Sequence, residues 1–169
     1  MKKVAIFGNA GGGKSTLAKA LADAKGLPLR SLDKMKYQSG GAEVPHADYL
    51  KNHSDLLKQD RWVIDGFGCV ASAWERFAAA DTLIYVDLPI CQHGWWITKR
   101  LLKGWYVNPE GWPDGSPIIK GTLSSYKVLW ICHKKLTPKY RQMISEVKSV
   151  KEVYHLTSRR DIKDFLRRL

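Results

Sequence analysis

The apolar positions of the chain fall into short β-type runs, separated by longer stretches in which apolar residues recur at helical spacing. Five runs read as strands: Val4 to Phe7, Leu29 to Leu32, Trp62 to Ile64, Leu83 to Val86 and Val153 to Leu156. The stretches between them predict helices over Ser15 to Ala24, Asp48 to Gln59, Ala71 to Ala79, Cys91 to Lys103, Leu123 to Ser149 and Asp161 to Arg168. Pro138 lacks a backbone donor and is expected to end or kink the fifth of these. Thr157 or Ser158 at the start of the last helix, and Arg167-Arg168 at its end, are residues favoured at those two ends. Alternation of strand and helix predicts an α/β protein with a parallel sheet and crossover helices.

The chain has 169 residues, 44% of them hydrophobic, and no Pro/Gly/Ser-rich separator, so one domain over residues 1 to 169 is expected. Residues 104 to 121, GWYVNPEGWPDGSPIIKG, carry four glycines and three prolines and read as a loop between two helices, a candidate lid. The first apolar run is too short for a signal peptide, and no later segment approaches the roughly 20 apolar residues of a membrane span. A cytoplasmic protein without a membrane partner is the expectation. Cys69, Cys91 and Cys132 are odd in number and widely spaced, which argues against a disulfide framework.

Charge changes this picture by halves. Residues 1 to 88 hold 12 Lys/Arg against 10 Asp/Glu, whereas residues 89 to 169 hold 16 against 6. The second half therefore favours an anionic partner, whether phosphorylated small molecule, nucleic acid or acidic surface.

Candidate chemistry begins at GNAGGGKS, residues 8 to 15. The pattern G-x-x-x-x-G-K-[ST] is met by Gly8, Gly13, Lys14 and Ser15, with a β-type run before it and a helix-forming run after it. Glycines let successive backbone N–H groups turn inward as an anion nest, and the following helix adds its positive end. Gly8, Asn9, Ala10, Gly11, Gly12, Gly13, Lys14, Ser15 and Thr16 are thus the candidate nucleotide-binding set. Lys14 is expected to reach the β- and γ-phosphates of ATP, and the Ser15 hydroxyl to complete the shell of a Mg²⁺ ion.

With this loop, the phrases LRSLD (29–33), RWVIDG (61–66) and ADTLIYVDLP (80–89), and Lys99-Arg100 in the following helix, the chain resembles the adenylate-kinase-like P-loop kinases. Within that group it is most similar to the bacterial topology modulation proteins. The resemblance implies a P-loop NTPase fold: a five-stranded parallel sheet in the order 2-3-1-4-5, helices on both faces, and a lid after the fourth strand. It also implies a carboxylate, Asp33, that holds or deprotonates the accepting hydroxyl; the alternative for Asp33 is a cap or turn after the strand. By the same resemblance Asp65 orders Mg²⁺ through its water shell, against the simpler reading of Asp-Gly as a turn. Asp87 reads as the cap of the helix after Pro89. Residues His155 to Arg159 would flank the base.

The chain departs from that family in its arginines. The first basic residue after Asp65-Gly66 is Arg76, the helix after the fourth strand has Trp96 and then Arg100, and residues 104 to 119 contain no Lys or Arg before Lys120. Fixed positive charge supplies most of the rate in phosphoryl transfer. Either Arg76, Arg100 and Lys120 close onto the phosphates from new positions, with Arg100 as a catalytic candidate, or catalysis is weak and nucleotide serves binding. Trp96 is read either as a ring stacked on a purine or as core packing.

Trp95, Trp96, Trp105, Tyr106, Trp112, Tyr126 and Trp130 crowd a stretch that includes Lys99, Arg100, Lys103, Lys120 and Lys127. They read as rings filling a small core and closing over one ligand, with single-strand nucleic-acid stacking as the alternative. Cys91, His93, Cys132 and His133 do not have comfortable zinc-ligand spacing. The expected function is ATP-dependent transfer of a γ-phosphoryl group to a small acceptor, with nucleotides and nucleosides as candidates. The alternative is a nucleotide-gated nucleic-acid-binding protein.

Overall fold

The computed structural model describes residues 1–38, 42–104 and 118–169, with the backbone alone described at 100, 103–104 and 118–121. Its elements, in chain order, are β1 (Lys3–Gly8), α1 (Lys14–Lys25), β2 (Leu29–Ser31), α2 (Leu32–Lys36), α3 (His46–Leu57), β3 (Trp62–Asp65), α4 (Val70–Ala79), β4 (Thr82–Val86), α5 (Ile90–Gly104), α6 (Ile118–Lys135), α7 (Thr137–Val147), β5 (Glu152–Leu156) and α8 (Arg159–Arg167). The strands form one sheet in the order β2-β3-β1-β4-β5, and every pairing is parallel. Both the order and the direction agree with the expectation.

Side chains of a strand alternate between faces, and β1 displays this in its packing. Ala5 and Phe7 join a core with Leu56 of α3, Phe77 of α4, Cys132 of α6 and Tyr140 of α7, whereas Val4 and Ile6 join a core with Leu17 and Leu21 of α1 and Phe165 of α8. Helices therefore cover both faces. Phe7 is the hub of an aromatic cluster, with ring centroids 4.3 Å from Phe77, 5.0 Å from Tyr85 and 5.2 Å from Tyr140. Each such pair contributes about 0.5–1.5 kcal/mol beyond area burial.

Because all five strands run the same way, the connections that leave their carboxyl ends gather on one edge. The glycine loop after β1, Asp33 after β2, Asp65 at the end of β3, Asp87 after β4 and Thr157 after β5 thus share that edge.

A short helix, α2, follows β2 directly where no helix was expected. The helical stretch expected from Leu123 to Ser149 divides near Pro138, as expected; Pro138 lies in the first turn of α7, where its missing N–H costs nothing. The helix α6 begins at Ile118, inside the expected loop; residues 105–117 of that candidate lid lie outside the described residues.

Candidate functional site

The loop after β1 is shaped by glycines in backbone conformations that other residues avoid. Gly8, Gly11 and Gly13 have φ of 135°, 70° and 72°. At Gly8 a side chain is excluded twice, since a Cβ would also collide with the Val86 carbonyl of the neighbouring strand. Gly13 is the N-cap of α1, and among the described residues it makes no side-chain cap. The Leu17 N–H is bonded back to the Gly13 carbonyl at 3.1 Å. An uncapped N-terminus attracts anions.

Other groups of the loop are already tied to the protein. Lys14 donates from Nζ to the Asn9 carbonyl at 2.8 Å. Asn9, buried at 7% exposure, accepts the Ala10 N–H on Oδ1 at 2.9 Å and donates from Nδ2 to the Leu129 carbonyl of α6 at 3.0 Å. His93 of α5 bonds the Ala10 carbonyl through Nδ1 at 2.8 Å. Ser15 is partly buried in the first turn of α1, and Thr16 beside it is exposed.

Four charges converge next to the loop. Asp33, in the first turn of α2, feels Asp65, Lys14 and Arg76 and accepts a backbone hydrogen bond from Phe67. Its carboxyl is raised above the usual range, first by burial and then by Asp65; Lys14 and Arg76 oppose this. The Asp33 side chain therefore reaches across to the loop after β3 and does not cap its own helix. Gly66 permits that approach, because with φ 98° any Cβ there would lie 3.2 Å from the Asp33 carboxylate oxygen. Asp65 is 3% exposed, and its Oδ1 has no hydrogen-bond partner among the described residues. A buried carboxylate oxygen left unpaired is costly and suits a hydrated cation.

Arg76, one of the cations considered for closing onto phosphates from a new position, is inside the protein. It is 1% exposed on α4, its guanidinium carbon stands 5.3 Å from the Phe77 ring centroid, and Nε and Nη1 have no hydrogen-bond partner among the described residues. Burial lowers its pKa, while Tyr49, Tyr140, Asp65 and Asp33 favour its charge. Arg76 is thus a buried cation behind the two carboxylates. Arg100 lies on α5 and Lys120 on α6, but their side chains are outside the described residues.

Trp96 takes the packing alternative: it lies against the core of the α1 face, next to Gly13, where a Cβ would come 2.8 Å from the indole. The Arg159 guanidinium carbon sits 4.9 Å from the Trp96 ring centroid, so the residue expected near the base stacks on this indole. Asp87 does not spend its carboxylate on a helix cap. Arg141 of α7 donates to both of its oxygens, at 2.7 and 3.1 Å, and His155 Nε2 lies 2.9 Å from Oδ2. These partners hold the Asp87 carboxyl below the usual range against the effect of burial. Among the described residues no cluster of three His, Cys, Asp or Glu forms a metal site, so the cysteine and histidine pairs of α5 and α6 do not come together as ligands. Nor is any helix of the described residues long and apolar enough to cross a membrane.

Sequence reasoning missed His93 and the role of Asn9, because both act through contacts with distant elements. The one hint was a histidine within an amphipathic helix that follows the glycine loop's neighbouring strand.

No protein-family model and no curated protein matches the chain. Among solved structures it is similar to an unliganded sugar kinase from Janibacter sp., with 14% identity, coverage of 99% of this chain and 91% of that one, and a TM-score of 0.50. At that identity the likeness concerns the fold alone. Fold and site together define an α/β protein of kinase-like architecture, with a glycine loop leading into an uncapped helix.

Proposed function

We propose that this chain is an ATP-dependent phosphotransferase that acts on a small acceptor. The observation that carries the reading is the juxtaposition of an uncapped α1 N-terminus and Lys14 with Asp33 and the unpaired carboxylate oxygen of Asp65. Bound ATP with Mg²⁺ would supply the phosphoryl group and part of the compensating charge. Gly8 to Thr16 are the residues to cradle the phosphates, Lys14 exchanging the Asn9 carbonyl for them. Ser15 and Asp65 would hold the cation, Asp65 through water.

Asp33 is the residue assigned to the acceptor. A base has to lie within hydrogen-bond reach of the proton it takes, and Asp33 sits on the sheet edge that also presents Lys14. Burial makes its carboxylate more basic than usual, which suits orienting or deprotonating a hydroxyl. Among the acceptors, nucleosides, nucleotides and sugars are the first to try.

The test is incubation with γ-labelled ATP, Mg²⁺ and a pool of small metabolites. Label transfer that Lys14→Ala reduces at least ~100-fold is expected, the scale for removing one fixed donor from a developing charge. Tight ATP binding with no transfer to any acceptor would overturn the enzymatic reading.

One observation favours a second reading. Along α6, Leu123, Tyr126, Trp130 and Ile131 are exposed on one side, and Lys134 Nζ lies 4.7 Å from the Trp130 ring centroid. Exposed rings with cations suit stacked bases of a single-stranded nucleic acid. Steep salt dependence of single-strand DNA or RNA binding would support it, and no binding at low salt would remove it.

A further inference from the structure

The main-chain shape of the glycine loop is held by a side chain 83 residues away. The His93 ring bonds the Ala10 carbonyl at 2.8 Å and is buried, at 2% exposure. A carbonyl can only accept, so Nδ1 must carry the proton, which fixes the tautomer. The same turn of α5 presses on the next residues: a Cβ on Gly11 would come 2.6 Å from both the His93 carbonyl and the Ile97 side chain, and one on Gly12 would come 3.0 Å from the imidazole Cε1. No other side chain is seen to hold the Ala10 carbonyl among the described residues.

Carbonyl and amide of a trans peptide point in opposite directions. Tying the Ala10 carbonyl to α5 therefore turns the Gly11 N–H away from α5. We propose that His93 is a positioning residue for phosphate binding: its Nδ1–H, held on the Ala10 carbonyl, aims the Gly11 amide at the triphosphate. This rests on the reading of the loop as a nucleotide site.

The charge state fits the role. Burial, helped by Lys14 and His133, pushes the imidazole down to about 4 against the bond to Ala10 and the nearby Asp87. His93 is consequently neutral near pH 7, with one donor and one acceptor nitrogen. A neutral donor orients the peptide without itself competing as a second ammonium for the phosphates.

The test compares the wild-type chain with His93→Leu and His93→Asn, each checked for folding by circular dichroism. Calorimetry reads ATP binding with Mg²⁺, and ligand-observed NMR reads adenosine. His93→Leu should weaken ATP about 10- to 100-fold, the range for losing one hydrogen bond to a charged group, and leave adenosine within about twofold. His93→Asn, which can still donate to the carbonyl, should recover most of that loss. With an acceptor in hand, His93→Leu should raise KM for ATP more than it lowers kcat. Equal ATP affinity in the wild type and His93→Leu, or an equal loss for ATP and adenosine, would overturn the proposal.

A second measurement needs no variant. Nitrogen-15 NMR of the wild-type imidazole should find Nδ1 protonated and no titration between pH 8 and about 5.5, in keeping with the depressed pKa. An Nε2–H tautomer would refute the clasp. Should the wild type bind no ATP at all, the phosphotransferase reading fails, and the tautomer measurement still decides whether His93 holds the loop.

Discussion

Two helices leave the carboxyl edge of the sheet after their strands, α1 after β1 and α8 after β5, and they finish their N-termini in opposite ways. At α8 the Ser158 hydroxyl accepts the Asp161 N–H at 3.1 Å, and the Asp161 carboxylate returns to the backbone N–H groups of Thr157 and Ser158 at 2.8 and 2.9 Å. That end is closed by its own residues. At α1 the cap is Gly13, which has no side chain, and no acidic residue occupies the first turn. The negative group that α8 carries within itself is absent from the first turn of α1, and an anion near that end would meet no competing carboxylate of the helix. The same strand-to-helix junction is closed by its own side chains in one place and left without a side-chain cap in the other, as the proposed nucleotide site requires.

The largest effect expected from breaking this contrast is at Gly8. Gly8→Ala puts a Cβ against the Val86 carbonyl at a φ of 135°, so the loop must move off β4. A loss of roughly 2–4 kcal/mol in urea unfolding is expected, together with loss of nucleotide binding. Wild-type stability in this variant would mean that the β1 exit tolerates another path.

Opening the α8 cap should act on stability alone. Ser158→Ala is expected to cost about 1 kcal/mol, the usual value of such a cap, and to leave ATP affinity unchanged. A change in affinity larger than about threefold would join the two helix ends functionally and spoil the comparison.

An effect no larger than that of the α8 cap concerns Asp87, just beyond the carboxyl end of β4, the strand between β1 and β5. Asp87→Asn should cost about 1 kcal/mol near pH 7, a modest figure because Arg141 is 58% exposed and solvent screens the pair. The folded carboxyl is depressed, so its contribution is present above the ordinary value of 3.8 and is lost as pH falls through the lower folded value. The gap between wild type and variant should therefore close in thermal melts below about pH 4. A gap that persisted at pH 2 would assign the loss to packing.

Much of the frame was legible in the sequence because its signals are local. Val4 to Phe7 and Leu83 to Val86 announce strands by composition, and the glycines from Gly8 to Gly13 announce a tight turn from strand into helix. Asp65 was legible because an apolar triplet delivers it to a strand end. What failed depended on through-space partners. Asp87 before Pro89 has the local form of a helix cap, yet Arg141 and His155, 54 and 68 residues away, take its oxygens. Nothing local to Arg76 signals its burial, which the packing of α3, α4 and α7 imposes. The helix α2 is only five residues long, too short to display a period.

By itself, then, the sequence determined the alternation of strand and helix, the position of the glycine loop, and the residue types available to it, since periodicity and backbone permissiveness are properties of neighbouring residues. Tertiary structure alone decided that Lys14, Asp33, Asp65 and Arg76 share one electrostatic field, that His93 of α5 holds the loop, and that Asn9 ties it to the Leu129 carbonyl of α6. Burial and hydrogen bonding are settled by which surfaces meet, and parallel strands bring together segments whose separation in sequence carries no trace of that meeting.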